Sequence, residues 1–437
     1  MAWKHAFDDL RTGAWLTRER LRFWVFALLT ASLAGLAILI ATSDGRNDAF
    51  NRPLGTDFSN FYAAGTAVLE GHPERPFDSA AHHARQNELF GPDTPFYGWP
   101  YPPFFLFVAA ALATMPYQLA LAVWQAATLA LYLWSMRMLV ATVSERPGTV
   151  AAEEKENKND GAASDRPWCD PLFLGLVLAY PAVFVNLGHG HNGFLTAALM
   201  GGALALLDRR PWLAGVLFGM LAYKPQFGLM IPLVLLVTGR WRVIAGAAAT
   251  VAALIVAATL CFGVEVWTAF LDGARFTQAV VLEAGNTGWH KIQSVFAVAR
   301  MWGGSVPLAY AVQAGATVAV AAGLVRLWRS RAAFALKAAA LPIAALLATP
   351  YSLDYDLMVL APAIAFLAAY GLAHGFRPWE ASALAALWLV PLAARSVAEL
   401  ALLPLAMPAM LCVLVLILRR AAAEAGSPRR GALLQGR

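Results

Sequence analysis

Long apolar runs separated by short polar segments form most of the chain. Runs of about 15–25 apolar residues recur from Phe23 to Leu418. A helix of about 20 apolar residues is long enough to cross a bilayer. The pattern therefore predicts an all-α polytopic membrane protein. The first run, from roughly Phe23 to Ala41, is longer than the core of a signal peptide, and we interpret it as an uncleaved first span.

The composition supports this fold class. Of the 437 residues, 59% are hydrophobic and only 14% are charged, whereas about a quarter of the residues in a soluble domain are charged. The net charge of +6 does not indicate a nucleic-acid partner, because the basic residues lie in short loops between apolar runs. Three widely separated cysteines (Cys169, Cys261 and Cys412) indicate neither a disulfide framework nor a metal site.

The basic loops predict the topology, because Lys and Arg concentrate in cytoplasmic loops. One short run, Pro102 to Met115, opens on Pro-Pro and ends before Pro116. If that run lies at the outer interface instead of spanning, every basic loop is cytoplasmic and both termini are inside. About twelve spans result. They start near Phe23, Tyr117, Leu172, Phe194, Trp212, Phe227, Val243, Val306, Ala335, Leu357, Ala381 and Ala401.

This topology organises residues 1–437 as a single membrane domain. Residues 42–116 form a first extracytoplasmic loop with interfacial helices, 144–170 a mobile cytoplasmic loop of low complexity, and 421–437 a cytoplasmic tail. Histidines, lone lysines and unpaired carboxylates gather in the outer segments, such as "GHGHNG", "YKPQ" and "TPYSLDYD". We therefore expect any chemistry on the extracytoplasmic face.

The outer loop opens a helical pattern at "GTDFSNFYAAG", whose aromatic residues recur at helical spacing. This helix would lie on the membrane surface or against the spans. Asp57 near its start allows two compatible roles. It could cap the helix by accepting a hydrogen bond from the amide of Asn60. It could also act as a general base on an acceptor hydroxyl.

The turn "NLGHGHNG" carries His189, His191 and Asn192. The two histidines could ligate a metal, but no third ligand follows at a usual spacing. Hydrogen bonds to a sugar or a phosphate are the favoured interpretation, because the flanking glycines allow the backbone to approach a ligand closely. A plain polar turn between spans is the alternative.

Two segments supply candidate cations. Lys224 in "AYKPQ" stands between apolar runs with no acidic residue nearby in sequence. It could bind the phosphate of a donor, or its ammonium could extend to the interface. His290 and Lys291 in "TGWHKIQ" offer a further cation and an aromatic surface for a phosphate or a sugar, although interfacial anchoring explains them equally well.

Four further residues are candidate contacts to the acceptor or the sugar. Tyr62 and Tyr101 belong to aromatic-rich segments, and "YPPFF" around Tyr101 also has an evident structural role. Asp354 and Asp356 form an Asp-x-Asp pair that could hold a divalent cation, bind sugar hydroxyls or cap a helix. We predict neither a metal site nor a cofactor.

The order of these motifs resembles glycosyltransferase family 87 from about Gly55 to Leu360. The motifs are "TDFSNFYAAG", "YPPFF", "GHGHNGFL", "DRRPWLAGVLFGMLAYKPQ" and "ATPYSLDYD". The family comprises GT-C-type membrane enzymes, among them actinobacterial α-1,2-mannosyltransferases that depend on polyprenol-phosphate-mannose. The resemblance implies a hexosyltransferase of the bacterial inner membrane that uses a polyprenyl-phosphate donor at the outer face, with inversion. It implies a glycan or glycolipid acceptor and places Asp57 at the position of the catalytic aspartate.

An inverting transfer needs one base beside the acceptor hydroxyl and one electrostatic stabiliser for the departing phosphate. Asp57 fits the first role, and Lys224 with Lys291 or a histidine fits the second. Two alternatives stay open. A flippase or transporter of a lipid-linked sugar would be expected to show internal repeats, and none is clear. An O-antigen ligase or polymerase would carry a long arginine-rich outer loop late in the chain, which is not evident.

Overall fold

The computed structural model describes residues 2–144 and 170–425. Most of the predicted cytoplasmic loop 144–170, with Cys169, lies outside the described residues, as does 426–437 of the predicted tail. Nineteen α-helices occur in the described part. They are α1 Ala2–Thr12, α2 Arg18–Ala41, α3 Thr56–Leu69, α4 Ser79–Phe90, α5 Leu106–Ala113, α6 Tyr117–Ser144, α7 Pro171–Leu178, α8 Pro181–His189, α9 Gly193–Leu206, α10 Pro211–Met220, α11 Met230–Val237, α12 Trp241–Phe262, α13 Glu265–Phe276, α14 Val295–Met301, α15 Val306–Arg329, α16 Phe334–Ala348, α17 Leu360–His374, α18 Glu380–Ala401 and α19 Ala406–Ala425.

Seven helices in the described ranges are long and apolar enough to cross a membrane. They are α2, α6, α12, α15, α18, α19 and the segment Asp354–His374, which includes α17. Helices α7 and α8 are bent by 49° relative to each other, and they add an eighth span if they cross the membrane as one unit. The protein is therefore a helical membrane protein, and its span-length helices begin close to where the apolar runs predict them.

The predicted number of about twelve spans is not supported by helix length. Four of the predicted spans, those starting near Phe194, Trp212, Phe227 and Ala335, are helices of fewer than 18 residues. The 14 residues of α9 extend about 21 Å, whereas the hydrocarbon core of a bilayer is about 30 Å thick. Runs of apolar residues thus predicted where helices occur, and helix length supports seven or eight of the predicted spans.

Burial explains why short helices are tolerated. In α9 and α16 nearly every residue is buried inside the protein, whereas Val25 is the only buried residue of α2. Helices surrounded by protein need not match the thickness of the bilayer, because lipid does not contact them. Six of the seven long helices are mostly unburied and form the lipid-facing rim, whereas the two most deeply buried helices are short.

The short helices have one end in the polar motifs and the other end in basic turns. In the polar motifs, α9 starts after Asn192, α10 and α11 are separated by a break around Lys224, and α16 ends before Thr349. Their opposite ends lie at basic turns, such as Asp208-Arg209-Arg210. The 22-residue α12 starts from the same basic side and extends about 33 Å, about 12 Å further than α9. The polar motifs thus lie in a recess below the ends of the rim helices.

The first outer segment folds onto the bundle. α3 does not lie on a surface, because Phe58, Phe61 and six more of its 14 residues are buried. α5 packs directly on it, and a Cβ added to Gly65 would lie 2.0 Å from the carbonyl oxygen of Ala109. The prediction that this run is no span agrees with the eight residues of α5. Of the two positions predicted for α3, the one against other helices is observed.

Close glycine contacts also join α10 to α12. A Cβ on Gly215 would lie 2.4 Å from the carbonyl oxygen of Val243 and 2.9 Å from the Cα of Gly246. Backbone atoms cannot move aside as a flexible side chain can. Only glycine therefore permits this spacing between the two helices.

We expect Gly215→Ala to lower the free energy of unfolding by about 1–3 kcal/mol, because its methyl group must push α10 away from α12. Thermal unfolding in detergent measures the change. Gly315→Ala on α15 is the matched control, since nothing lies within 4 Å of its added Cβ. An equal loss of stability in both variants would contradict the packing argument.

Candidate active site

Two glycines bring the start of α3 against the turn that follows α8. Gly55 and Gly190 both adopt left-handed backbone conformations, with φ of +69° and +61°. A Cβ on Gly190 would lie 2.6 Å from the Cβ of Phe58 and 3.5 Å from the Cα of Gly55. Glycine satisfies both the conformation and the close approach. The motifs "GTDF" and "GHGHNG" are thereby placed side by side.

Asp57 is the second residue of α3 and lies beside the aromatic core. Its helical neighbour Phe61, four residues later on the same face, has its ring centroid 5.3 Å from that of Tyr101. Burial raises the pKa of Tyr101 well above its usual value, and the charge of Asp57 is the next largest cause. The carboxylate therefore faces the region of Tyr101.

The carboxylate of Asp57 is partly exposed and has no hydrogen bond or ion pair to any residue in 2–144 or 170–425. The N-cap residue of α3 is Gly55, and no side chain caps the helix. The predicted capping by Asp57 is therefore wrong. Asp57 lies inside the first turn, past the position where a side chain can cap. Burial raises its pKa to about 7, although Lys224 and Lys291 oppose the rise. A carboxylate held in this way can exchange a proton near neutral pH.

Lys224 forms a buried ion pair with Asp356. The side chains are 3% and 2% exposed, and the second carboxylate oxygen of Asp356 accepts a hydrogen bond from the amide of Leu353 at 3.0 Å. The alternative that Lys224 extends to the interface is therefore wrong. Its partner is 132 residues away in sequence, which is why no neighbouring acid is visible there. The ion pair neutralises both charges.

The histidines of the "GHGHNG" turn face different partners. Nδ1 of His189 lies 2.6 Å from Oγ1 of Thr56. The ring of His191 stacks on Tyr355 with centroids 3.6 Å apart, and its Nε2 is 3.4 Å from Oη of Tyr101. The two histidines of the turn thus contact different side chains.

Several buried polar atoms of this turn lack a partner. They are Nδ1 of His191 and both amide atoms of Asn192, as far as the described residues show. Asn186, which sequence reasoning missed, orders the turn by accepting a hydrogen bond from the amide of Gly193 at 2.9 Å. Buried polar groups of native proteins nearly always have a partner, so these atoms are available to a ligand or to water.

A second group of charges adjoins the first. The carboxylate of Asp354 lies 4.0 Å from Nη1 of Arg395 and accepts a hydrogen bond from the amide of Tyr355 at 2.9 Å. Asp354 and Asp356 thus have different partners. Sequence reasoning missed Arg395, although an arginine inside an apolar run is itself a signal of function.

Lys291 and His290 lie in the three-residue turn Trp289–Lys291, which packs against α18. Both side chains are partly buried. Burial, followed by the charge of Arg395, lowers the pKa of Lys291. Burial also lowers the pKa of His290. The predicted candidates Lys291, His290 and Asp354 are therefore neighbours in space, together with Arg395.

A cavity of about 220 Å³ opens beside the ion pair. Aromatic rings dominate its walls, and such surfaces suit the apolar faces of a sugar. Tyr62 is not among the lining residues, because its hydroxyl donates to the carbonyl of Met115 at 3.0 Å. The lining includes Tyr101, His191, Tyr223, Lys224, Gln226, Phe270, Tyr351, Tyr355 and Asp356.

Fold and site together define an integral membrane protein with a charged, aromatic-lined pocket at one end of its helices. The sequence model of glycosyltransferase family 87 matches residues 99–350, more than half of the chain, and the chain belongs to this family. It is therefore a glycosyltransferase, a transferase of the EC 2.4 class, which uses a sugar donor and an acceptor. No curated protein and no solved structure matches the chain.

We expect Lys224→Met to destabilise the protein by about 3–5 kcal/mol, because it leaves the carboxylate of Asp356 buried and unpaired. Asp356→Asn alone should also be destabilising. The double variant should recover part of the loss, and thermal unfolding of all four proteins in detergent measures the coupling. Additive losses would contradict a direct interaction. The test needs no substrate.

Proposed function

We propose that the protein is a GT-C-type hexosyltransferase with a polyprenyl-phosphate donor. It moves the hexose, with mannose as the favoured sugar, to a hydroxyl of a glycan or glycolipid. The observation that carries the proposal is Asp57, an unpaired carboxylate with a pKa of about 7 whose charge interacts with several cations and with Tyr101 of the cavity wall. Membership in a glycosyltransferase family favours this function over a flippase or transporter.

The mechanism follows from the charges. Asp57 accepts the proton of the acceptor hydroxyl while that oxygen bonds to the anomeric carbon. The bond from the anomeric carbon to the phosphate oxygen breaks, and the electron pair leaves with the polyprenyl phosphate. Attack opposite the leaving group inverts the anomeric carbon. The cations near the site stabilise the charge that develops on the phosphate.

The recess supports a donor that arrives from the membrane. The polar motifs lie at the ends of short helices, enclosed by lipid-facing helices, where an isoprenoid chain can remain in the bilayer. The basic turns lie at the opposite helix ends. Because Lys and Arg concentrate in cytoplasmic loops, these turns favour a cytoplasmic location. We therefore place the reaction at the extracytoplasmic face of the bacterial inner membrane.

We expect Asp57→Asn to reduce transfer by at least about 10²-fold, since an amide cannot accept the proton. Transfer from polyprenyl-phosphate-hexose in reconstituted vesicles measures it. Asp272→Asn is the control, because Asp272 lies on the exposed side of α13 and pairs with Arg275. Full activity of Asp57→Asn would rule out its role as the base.

The stability of this variant separates lost chemistry from misfolding. A carboxyl group with a raised pKa in the folded state costs stability as pH rises through that pKa. Replacing Asp57 with Asn removes this cost. At pH 8 the melting temperature of Asp57→Asn should therefore equal or exceed that of the wild type.

The pH dependence of transfer gives a separate expectation. With a pKa of about 7, Asp57 is protonated and inactive below neutral pH. Below pH 7 the ratio kcat/KM should fall about tenfold per pH unit, and above pH 7 it should level off. Initial rates from pH 5 to 9 test this. An acidic limb centred near pH 4 would show an ordinary carboxyl group instead.

A further inference from the structure

Two cations of the site are left without a close anionic partner. The ammonium of Lys291 has no hydrogen bond or ion pair to any described residue, although its side chain is partly buried. The guanidinium of Arg395 is 44% exposed, and its contact to Asp354 is 4.0 Å long, beyond hydrogen-bonding distance. Lys224, by contrast, forms an ion pair with Asp356. The available positive charge therefore belongs to Lys291 and Arg395.

Helical periodicity explains why Arg395 faces the site. Trp388, seven residues earlier on α18, donates a hydrogen bond to the carbonyl of Leu176 at 3.1 Å and has its ring near that of Tyr180. Seven residues are two helical turns, so Arg395 lies on the same face, about 10 Å further along. That face follows α8, which ends at His189. Arg395 thus reaches the level of the "GHGHNG" turn.

Transfer moves negative charge toward the donor phosphate. Transfer changes a phosphodiester with one negative charge into a monoester with about two, while Asp57 gains a proton. The summed charge of base and phosphate is thus conserved, but the negative charge moves toward the phosphate. This shift requires cations beside the phosphate, because they stabilise the charge that develops there.

We propose that Lys291 and Arg395 together bind the donor phosphate. The guanidinium fork of Arg395 suits two phosphate oxygens, and the ammonium of Lys291 supplies a point charge on a third side. Binding replaces the long contact of Arg395 to Asp354 with charge-assisted hydrogen bonds. Lys291 and Arg395 repel each other, and this repulsion contributes to the lowered pKa of Lys291. A bound anion between them offsets the repulsion. This assignment rests on the proposed lipid-phosphate donor.

The first test compares binding of undecaprenyl phosphate with binding of undecaprenol to the whole protein in nanodiscs, followed by tryptophan fluorescence. The two lipids differ only in the phosphate. The wild type should bind the phosphate form at least tenfold more tightly. Arg395→Gln and Lys291→Gln should each lose most of this preference, and Arg395→Lys should keep part of it.

Arg275→Gln is the matched control, because Arg275 is 78% exposed and pairs with Asp272 on α13. It should bind both lipids as the wild type does. Melting temperatures in the same nanodiscs show whether each variant is folded. In transfer assays, Arg395→Gln should raise the donor KM and lower kcat, because the phosphate gains charge in the transition state. The acceptor KM should stay unchanged.

The outcomes distinguish the two proposals. If the wild type prefers the phosphate lipid and folded Arg395→Gln and Lys291→Gln keep that preference, the phosphate site is wrong and the donor class stands. If the wild type shows no preference for the phosphate lipid and transfers a hexose from another donor, the donor class is wrong and the site falls with it. If only the variants at Lys291 and Arg395 lose the preference for the phosphate lipid, the result supports both the phosphate site and the donor class.

Discussion

The buried ion pair between Lys224 and Asp356 is the interaction on which the site depends. It joins the break between α10 and α11 to the segment that precedes α17, across 132 residues of sequence. Asp356 also orders the amide of Leu353, and the adjoining Tyr355 supports the ring of His191. Neither charge tolerates burial alone, so each fixes the position of the other. One wall of the cavity is thereby held rigid.

Other groups of the site show the reverse arrangement. The amide of Asn192 is fully buried and Asp57 and Lys291 are partly buried, yet no described residue pairs with these side chains. Such groups cost stability, and native proteins usually keep them only where a ligand or a reaction needs them. The site thus combines a buried ion pair, whose charges are matched, with polar groups that have no partner among the described residues. The close glycine contact between Gly55 and Gly190 holds the two parts together.

Much of this arrangement follows from sequence, and the rest fails for identifiable reasons. Apolar runs located the helices, and the clustering of His, Lys and Asp identified the segments that meet. Hydropathy does not report whether a helix contacts lipid or protein, so the short buried helices α9 and α16 were counted as spans. Lys224 and Asp356 could not be paired from sequence, since nothing local links them. Arg395 was overlooked because its surroundings are apolar, although that contrast was the signal.

In the proposed orientation, the short buried helices also place the pocket inside the membrane's electric field. By helix length, the polar motifs lie about 12 Å below the end of α12, roughly a third of the membrane thickness. Once substrates fill the recess and exclude water, an anion bound there has crossed a corresponding part of the membrane potential. That part is worth about 0.8 kcal/mol per charge at 100 mV. Occupancy by an anionic donor then varies with the energetic state of the cell, a dependence that a pocket at the membrane surface lacks.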